Sequence, residues 1–482
     1  MNKLLDINVT QLPYLDSASL FELVANEPWA MFFDSGVDDS SRATSSRYDI
    51  LAIEPQSTLV FEGDTTVFNN NGREQTLHGD PLAILQSAVP QCEKSLRVNY
   101  LPGAYGYFSY DLARQYETLP EQATDDEGLP QMAMGIYHVI LVIDHYRKKS
   151  RVIRMGESVA AKELEMRWLD LVLVHQEGLV EREMAQLTDA LSSESDDETP
   201  VTSTLNAHKL TESFNWTEYK TAFKAVRDYT VEGDCYQVNL TKRFSAAVDG
   251  DSWDAYKSLR ESSPAPYGCY MNLPFAQVLS NSPESFITCR GHTVTTSPIK
   301  GTRRRRLDDL EADKRVAESL HSSEKDRAEN LMIVDLMRND LGRACIAGSV
   351  KVLELFTLHS FANVHHLISK VVGTLRPELH ALDLLRHCFP GGSITGAPKI
   401  RSMQIIEELE PYRRGLYCGS IGYVGANGDI ETNIAIRTIV VKDGVARFSA
   451  GGGLVIDSEV EDEYQELNDK ASMLMSAVMS KS

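Results

Sequence analysis

The first 190 residues contain several short apolar runs and one long amphipathic stretch. Three runs are rich in β-branched and aromatic residues and predict strands: RYDILAIEP (47–55), STLVFEG (57–63) and MGIYHVILVIDHY (134–146). Residues 160–187 repeat apolar positions at helical spacing, which predicts a long helix. Strands and helices are therefore both expected in this part of the chain.

Three segments of the second half predict helices that carry polar residues. Residues 322–342 have helical periodicity, and residues 389–411 run from a glycine-rich loop into a helix with Pro398 in its first turn. Residues 458–480 predict a terminal helix with an apolar stripe made by Tyr464, Leu467, Ala471 and Leu474. Because strands and helices are mixed rather than strictly alternating, the pattern predicts an α+β fold with antiparallel sheets.

One change of composition divides the chain. Residues 191–209, LSSESDDETPVTSTLNAHK, are rich in Ser, Thr and acidic residues and poor in large apolar ones, so they predict a solvated connector. This divides the chain into an amino-terminal region, residues 1–190, and a carboxyl-terminal region, residues 210–482.

Charge excludes two classes of function. The 482 residues include 69 acidic and 48 basic side chains, giving a net charge of -21. A large nucleic-acid footprint or a polybasic membrane patch is not expected from such a chain. An anionic ligand would need local positive charge against this overall field.

Cysteine use and hydropathy indicate a cytoplasmic protein. The seven cysteines occur singly without a CxxC pair, which argues against a disulfide framework and a structural zinc site. The first residues have no continuous apolar segment, and no stretch approaches the roughly 20 apolar residues of a membrane span. We therefore expect neither a membrane nor a nucleic acid as a partner.

Lys300 lies in the segment TTSPIKGTRRRR (295–306), between Ile299 and Gly301. A surface lysine is the common alternative, but these neighbours are not typical of a solvated face. An amine that acts as nucleophile or base near pH 7 needs a pKa below its usual value of about 10.4. Burial and a nearby cation such as Arg303 would lower it. Candidate acid and base groups are Glu284 in SNSPESF and His366 in NVHHLIS.

Two predicted helices carry pairs of carboxylates three residues apart. Asp326 and Glu329 form one pair, and Glu463 and Glu466 form the other. Each pair alone is more typical of a solvated acidic face. Two helices that faced each other, however, could hold one hard dication, and Mg²⁺ suits a site with few carboxylates and a bound substrate.

Two glycine-rich segments could approach a ligand closely with their backbone. PGGSITGAPK (390–399) combines glycines with Ser393 and Thr395 ahead of a helix, which is suited to a carboxylate or a phosphate, although a capped turn is an equal alternative. It lacks P-loop spacing. SAGGGLVID (449–457) is a weaker candidate. Together with Lys300 and the acids, these segments suggest an enzyme acting on a small anion.

A series of motifs identifies a family resemblance. The segments in order are GDCYQVNLTKRF (233–244), SNSPESF (280–286), TSPIKGT (296–302), KDRAENLMIVDLMRNDLGR (325–343), FPGGSITGAPK (389–399), ETNIAIRT (431–438) and AGGGLVIDSEVEDEYQE (450–466). They resemble the chorismate-utilising enzymes. Residues 210–482 resemble the catalytic domain, and LPGAYGYFSYDLARQYE (101–117) resembles the amino-terminal region of the amidotransferase-dependent members, such as anthranilate synthase component I. The resemblance implies an α/β sandwich of large antiparallel sheets with outer helices, in which the two halves interleave into one body.

The PIKGT motif indicates which subfamily is most similar. Anthranilate synthases carry alanine where this chain has Lys300, whereas the aminodeoxychorismate synthases carry this lysine. The implied activity is amination of chorismate at ring carbon 4, giving 4-amino-4-deoxychorismate for para-aminobenzoate and folate synthesis. Isochorismate synthase, which uses water, and anthranilate synthase remain the alternatives.

The resemblance also implies catalytic and metal-binding roles. Lys300 would attack chorismate at ring carbon 2 while Glu284 protonates the departing 4-hydroxyl, and ammonia would then add at carbon 4 and expel the lysine. Mg²⁺ on the ring carboxylate would be held by Glu329 and Glu466, with Asp326 and Glu463 in its outer shell.

The resemblance further implies the residues that hold the substrate. The enolpyruvyl carboxylate would be bound by Arg437 and Tyr417, assisted by backbone donors of Gly452 and Gly453. The residues expected to line the rest of the pocket are Ser393, Thr395 and His366.

The sequence differs from its relatives at two places, and the resemblance also implies a partner protein. Arg304 replaces the proline usual after PIKGT, which changes the loop beyond Lys300. Asp34 and Ser35 in FFDSG lie where some relatives bind tryptophan, so a bound tryptophan is a further expectation. The chain has no glutaminase signature, which implies a separate glutamine amidotransferase subunit as the source of ammonia.

Overall fold

The computed structural model describes residues 4–36, 47–93, 99–190, 204–361 and 364–479, and within them residues 182–190 by their backbone only. The predicted connector, 191–209, lies mostly outside these residues. Its described end differs from the prediction, because Leu205 is fully buried and donates its backbone N–H to Ala477 O at 3.0 Å.

Ten α-helices are present in the described part of the chain: α1 (Ser17–Glu22), α2 (Pro81–Ala88), α3 (Val159–Ala190), α4 (Trp216–Glu232), α5 (Ser252–Ser262), α6 (Leu310–Ser322), α7 (Glu324–Gly342), α8 (Ala381–Cys388), α9 (Lys399–Leu409) and α10 (Val460–Val478). Short 3₁₀ helices span Tyr110–Gln115 and Gly392–Ile394. The helices predicted at 160–187, 322–342, 389–411 and 458–480 correspond to α3, α7, α9 and α10.

The strands described are β1 (Ile7–Leu12), β2 (Ala30–Asp34), β3 (Tyr48–Ala52), β4 (Ser57–Glu62), β5 (Thr65–Asn70), β6 (Arg73–His78), β7 (Gly103–Phe108), β8 (Met132–Tyr137), β9 (Val139–Asp144), β10 (Lys149–Met155), β11 (Thr211–Glu212), β12 (Gln237–Ala247), β13 (Tyr267–Leu273), β14 (Ala276–Ser282), β15 (Ser285–Arg290), β16 (Thr293–Thr296), β17 (Ile299–Arg304), β18 (Lys351–Ser360), β19 (Val364–Thr374), β20 (Gly396–Ala397), β21 (Ser420–Gly425), β22 (Ile430–Asn433), β23 (Thr438–Lys442) and β24 (Val445–Leu454).

These strands form two antiparallel sheets, each built from both halves of the chain. The first sheet has the order β1-β10-β9-β3-β2-β13-β14-β23-β24-β12-β11, with β20 beside β12. The second has the order β17-β19-β16-β15-β22-β21-β7-β8-β4-β5-β6, with β18 beside β19. The halves join where β2 pairs with β13 and where β7 pairs with β21. The predicted interleaving of the two halves is therefore confirmed.

The apolar core is divided into layers by the sheets. Side chains from both sheets, such as Met31, Tyr105, Tyr137 and Met271, pack together in one cluster between them. A second cluster joins the first sheet to α3, α4, α5 and α10, and a third joins the second sheet to α2 and α8. The result is the predicted sandwich of two sheets with outer helices.

The single strand predicted at residues 134–146 is two strands, β8 and β9, in the structure. The apolar run 134–146 is interrupted at His138, where the chain passes from β8 in the second sheet to β9 in the first. Both strands are buried along their whole length, so the hydrophobic pattern is continuous across the crossing. Similar crossings from β14 to β15 and from β22 to β23 bring the candidate catalytic residues together.

Candidate active site

Glu284 lies in the crossing between β14 and β15 and is 6% exposed. Burial raises the pKa of its carboxyl group, against the opposing effects of the Ser393 hydroxyl, the Lys300 ammonium, the backbone of Ile299 and the Arg437 guanidinium. The group is therefore a buried carboxylic acid with cationic and hydroxyl partners, as a general acid requires.

Arg437 lies in the crossing from β22 to β23, which is hydrogen bonded to the crossing that carries Glu284. Ile434 N donates to Glu284 O at 3.0 Å, and Asn281 N donates to Arg437 O at 2.9 Å. Arg437 has a φ of 51°, which a non-glycine residue adopts only when its surroundings hold it there. The tight packing of the two crossings thus positions the arginine against the acid.

The guanidinium of Arg437 makes no hydrogen bond or ion pair with the side chains in the described ranges, although the Glu284 carboxyl group lies within electrostatic range. Burial lowers its pKa, and nearby Glu284 opposes that effect. A buried cation without a carboxylate partner is unfavourable unless a ligand supplies one. Arg437 is accordingly suited to bind an anionic substrate.

Lys300 lies at a bulge in β17, because the pairing of β17 with β19 shifts register between Ile299 and Thr302. Gly301 has a φ of 85°, and a Cβ there would lie 3.0 Å from Leu320 and 3.1 Å from Asp326. The bulge and this glycine turn Lys300 away from a regular strand direction, as bulges beside active sites do.

The charges around Lys300 are mostly carboxylates. Its ammonium lies within electrostatic range of Glu284, Glu329 and Glu466. Arg303, the neighbouring cation expected from the sequence, instead donates to Asp326 at 2.8 Å. Lys300 therefore lies near acidic side chains, and the positive charge of Arg303 is balanced by Asp326.

His366 lies opposite Thr302 on β19, and its Nδ1 is 2.8 Å from the Thr302 hydroxyl. Burial and the Arg437 guanidinium lower the pKa of the imidazole to about 3. His366 is therefore neutral near pH 7 and can exchange hydrogen bonds without carrying charge.

The two acid-bearing helices face each other. Lys325 of α7 is 3.6 Å from Glu463 of α10. Burial raises the pKa of Glu329, and the nearby carboxylates of Glu463 and Asp326 raise it further, while Lys300 and Lys325 oppose the shift. Glu463 is 7% exposed and accepts a hydrogen bond from Ser458 at 2.7 Å, so the alternative of a solvated acidic face does not hold for it.

Glu466 differs from the other three acids. Its side chain is 59% exposed and pairs with Lys470 at 2.6 Å, which lowers its pKa. Within the part of the chain that the structure describes, no three His, Cys, Asp or Glu side chains are placed to hold a metal ion together. The four carboxylates lie on two helices that face each other, and three of them are ion-paired with Arg303, Lys325 and Lys470. Carboxylate oxygens are nevertheless the ligand type that Mg²⁺ takes.

The loop before α9 contributes hydroxyl groups. Ser393 hydrogen bonds to the Glu284 carboxyl group. The Thr395 hydroxyl donates to Gly391 O at 2.9 Å, so it braces the loop itself. Tyr417 is 8% exposed, and burial raises its pKa well above the ordinary value.

Gly452 and Gly453 lie on β24, opposite Leu240 and Asn239 of β12. A Cβ on Gly452 would lie 3.1 Å from Glu463, and one on Gly453 would overlap the Gln237 side chain. The glycines are thus required by close packing against residues of the site as well as being candidates for backbone donors.

A comparison with family models identifies the chain. The model described as chorismate binding enzyme matches residues 36–476, which is most of the sequence. The chain belongs to the chorismate-binding enzymes. The resemblance read from the motifs is therefore confirmed at the level of the family.

Individual chorismate-binding enzymes are similar over nearly the full length. Aminodeoxychorismate synthase component 1 of Escherichia coli (strain K12) is 42% identical over 472 residues, 97% of each chain. Anthranilate synthase component 1 of Bacillus caldotenax is 35% identical over 93% of this chain and 89% of its own. The crystal structure of anthranilate synthase component I from Streptococcus pneumoniae TIGR4 matches with a TM-score of 0.73 and 33% identity, over 91% of this chain and 93% of that one.

In this chorismate-binding enzyme, sequence reasoning missed Gln237 as an individual residue. Its side chain is fully buried against Gly453, and neither its amide nitrogen nor its amide oxygen has a hydrogen-bond partner among the described residues. Buried amides are normally satisfied. Only the glycine on the adjacent strand could have indicated in advance that a side chain packs there.

Asp34 and Ser35, the residues predicted to bind tryptophan, lie at the end of β2 and are hydrogen bonded to other protein side chains. Asp34 accepts hydrogen bonds from Arg260 at 2.6 Å and Tyr256 at 3.1 Å, and Ser35 donates through its hydroxyl to Asp49 at 2.7 Å. Burial raises the pKa of Asp34, while Arg260 opposes that shift. Both candidate residues therefore already have protein partners, and the structure gives no support to a tryptophan site there.

None of the described helices of this chorismate-binding enzyme is both long and apolar enough to cross a membrane.

Proposed function

We propose that this chain aminates chorismate at ring carbon 4 with ammonia to give 4-amino-4-deoxychorismate. The observation that carries the proposal is that the Lys300 ammonium and the Arg437 guanidinium both lie within electrostatic range of the buried Glu284 carboxyl group. It is supported by 42% identity to aminodeoxychorismate synthase component 1 over 97% of both chains. The product would lead to para-aminobenzoate and folate.

In the proposed reaction, Lys300 is the first nucleophile and Glu284 the proton donor. The lysine nitrogen attacks ring carbon 2 as the ring double bonds shift, and the 4-hydroxyl leaves as water with the proton of Glu284. Ammonia then attacks carbon 4, the double bonds return, and the Lys300 nitrogen leaves. The raised pKa of Glu284 supports this role, because the group must carry a proton near pH 7.

Chorismate carries two carboxylates, and the site offers a partner for each. Arg437 would receive the enolpyruvyl carboxylate, with Tyr417 and the backbone of Gly452 and Gly453 beside it. Other pocket residues of the proposal are Ser393, Thr395 and His366. Among the described residues no carboxylate is ion-paired with Arg437, and burial lowers its pKa, which supports this assignment.

The converging acids would hold Mg²⁺ opposite the ring carboxylate. Glu329 and Glu466 are the proposed ligands, with Asp326 and Glu463 around them. Bound magnesium would supply positive charge against the carboxylate and hold the ring. For this, Glu466 would leave its ion pair with Lys470, and its exposure makes that exchange inexpensive in free energy.

Ammonia would come from a separate glutamine amidotransferase subunit, as the name component 1 implies for the relatives. All seven cysteines are buried and free. Burial raises the pKa of the Cys289 and Cys418 thiols to about 12, so neither is an activated glutaminase nucleophile. Unpaired cysteines also agree with a cytoplasmic location.

The test is product identification with the purified chain. Chorismate, Mg²⁺ and an ammonium salt at mildly alkaline pH should give a product that aminodeoxychorismate lyase converts to para-aminobenzoate. Isochorismate formed without ammonia, or anthranilate formed without the lyase, would contradict the proposed function. A reaction supported by glutamine only after the amidotransferase subunit is added would support the partner.

A further inference from the structure

We propose that Arg414 is a positioning residue that holds the Gly392–Ile394 loop so that the Ser393 hydroxyl stays on the Glu284 carboxyl group. The inference rests on the proposed function, because it concerns the group assigned as the proton donor. Arg414 itself touches neither Glu284 nor the expected place of the substrate, so it would act through the loop.

The guanidinium of Arg414 binds the loop directly. Its side chain is 2% exposed, and Nη1 donates to Ile394 O at 2.9 Å. Asn239 Nδ2 donates to the same carbonyl oxygen at 3.0 Å, and Asn239 N donates to Thr395 O at 2.8 Å. Two side-chain donors thus converge on the residue that follows Ser393.

The arginine is in turn fixed to the first sheet. Glu410 accepts from Arg414 Nε at 3.0 Å and from Nη2 at 2.7 Å, and Nη2 also donates to Asn239 O at 2.6 Å. The Glu410 carboxylate also accepts from the backbone N–H and the hydroxyl of Thr241, each at 2.9 Å. A continuous buried chain of hydrogen bonds therefore runs from β12 through Glu410 and Arg414 to the loop.

The loop needs such support because of its own composition. It is a single 3₁₀ turn without a side-chain cap at its start, and glycines occupy positions 391, 392 and 396. Glycine backbone is the most conformationally free. Without the bonds to Ile394, the nearest hydrogen bonds that hold the loop are those of Thr395, whose hydroxyl donates to Gly391 O at 2.9 Å and whose carbonyl oxygen accepts from Asn239 N at 2.8 Å.

Ser393 is one of several groups that face Glu284. The others are the Lys300 ammonium on β17, the backbone of Ile299 and the Arg437 guanidinium of the neighbouring crossing. The Cys418 thiol also lies within electrostatic range. Loss of the Ser393 hydrogen bond removes one of the interactions that hold the pKa of Glu284 down, so its pKa rises further.

The experiment is a double-mutant cycle with Ser393→Ala and Arg414→Lys, read in the pH profile of kcat/KM at a constant concentration of free ammonia. The rate should fall as Glu284 loses its proton, and a higher pKa moves that fall to higher pH. Ser393→Ala should move it up by about one pH unit. Arg414→Lys should move it in the same direction, and the double variant should move it no further than Ser393→Ala alone. Additive shifts, or no shift in Arg414→Lys, would overturn the proposal.

Arg114→Lys is the matched control. Arg114 pairs with Glu407 of α9, three residues before Glu410, and donates to Pro120 O at 2.8 Å, away from the loop. The Arg114→Lys variant should have a lower melting temperature and an unchanged pH profile of kcat/KM. A shift of that profile equal to the shift in Arg414→Lys would overturn the proposal.

A second variant covers the case in which Arg414→Lys does not fold. Asn239→Ala removes the other side-chain donor to Ile394 and should shift the pH profile in the same direction by a smaller amount; no shift would count against the inference. The wild-type product in the lyase assay tests the proposed function separately.

Discussion

Glu284 and Arg437 face each other from two chain crossings that hydrogen bond to one another. Each crossing carries the chain from one sheet to the other, and the two are joined by Ile434 N to Glu284 O at 3.0 Å and Asn281 N to Arg437 O at 2.9 Å. An acid and a neighbouring cation are thus fixed at these crossings before any substrate binds. Such pre-organisation is what an enzyme needs for a charged substrate.

Lys300→Ala should reduce formation of 4-amino-4-deoxychorismate below about one hundredth of the wild-type rate, because no other amine replaces the nucleophile. The lyase-coupled assay measures it. Lys351→Ala, at an exposed position of β18, is the control and should retain the wild-type rate. Full activity of Lys300→Ala would exclude the covalent role.

Glu284→Gln should reduce kcat by roughly 10²- to 10⁴-fold, since the amide cannot donate a proton to the leaving hydroxyl. The same variant should also change how the stability of the folded protein depends on pH. The pKa of Glu284 is raised in the folded state, so the stability that its proton provides is present at low pH and is lost as pH rises through the folded pKa. The melting temperature of Glu284→Gln relative to wild type should therefore increase with pH. A difference independent of pH would contradict the raised pKa.

Glu466→Gln should increase the Mg²⁺ concentration that gives half-maximal activity by about tenfold or more, because the site loses a charged ligand. Glu461→Gln, on an exposed position of the first turn of α10, is the matched control. Identical magnesium titrations for the two variants would remove Glu466 from the proposed ligands.

His366→Gln should make folding less sensitive to acid. The pKa of His366 is lowered from 6.5 to about 3, so the folded state resists protonation and wild type loses stability as pH falls below 6.5. One such group contributes a slope of roughly 1.4 kcal/mol per pH unit in that window. Denaturant titrations between pH 6.5 and 4.5 would measure the difference. His292→Gln, at an exposed position away from His366, is the matched control.

L-tryptophan at millimolar concentration should not change the melting temperature. The Asp34 carboxylate already accepts from Arg260, Tyr256 and the backbone N–H of Gly36, and Ser35 is bonded to Asp49, so neither is open to an amino-acid ligand. Thermal unfolding with and without tryptophan tests this. A rise of several degrees would show that a site exists beside this network.

Features set by residues close in the sequence were predicted, and features set by residues far apart in the sequence were not. Helical periodicity predicted α3, α7, α9 and α10, because amphipathic helices are determined by neighbours three and four residues apart. The crossing at His138 was missed, since strands buried on both faces show no alternation. The sequence also pointed to Arg303 as the cation acting on Lys300. It did not show that Arg303 pairs with Asp326, which is 23 residues further along the chain.

The sequence by itself determined the family, the interleaved α+β fold expected from it and the residue types of the site, since motifs are local and their chemistry does not depend on packing. Only the tertiary structure decided that α7 and α10 face each other, that Arg437 lies near Glu284, and that Arg414 braces the Ser393 loop. The physical reason is distance along the chain. Glu284, Ser393 and Arg437 come together through two sheets whose pairing joins residues hundreds of positions apart, and burial and charge follow only after that pairing.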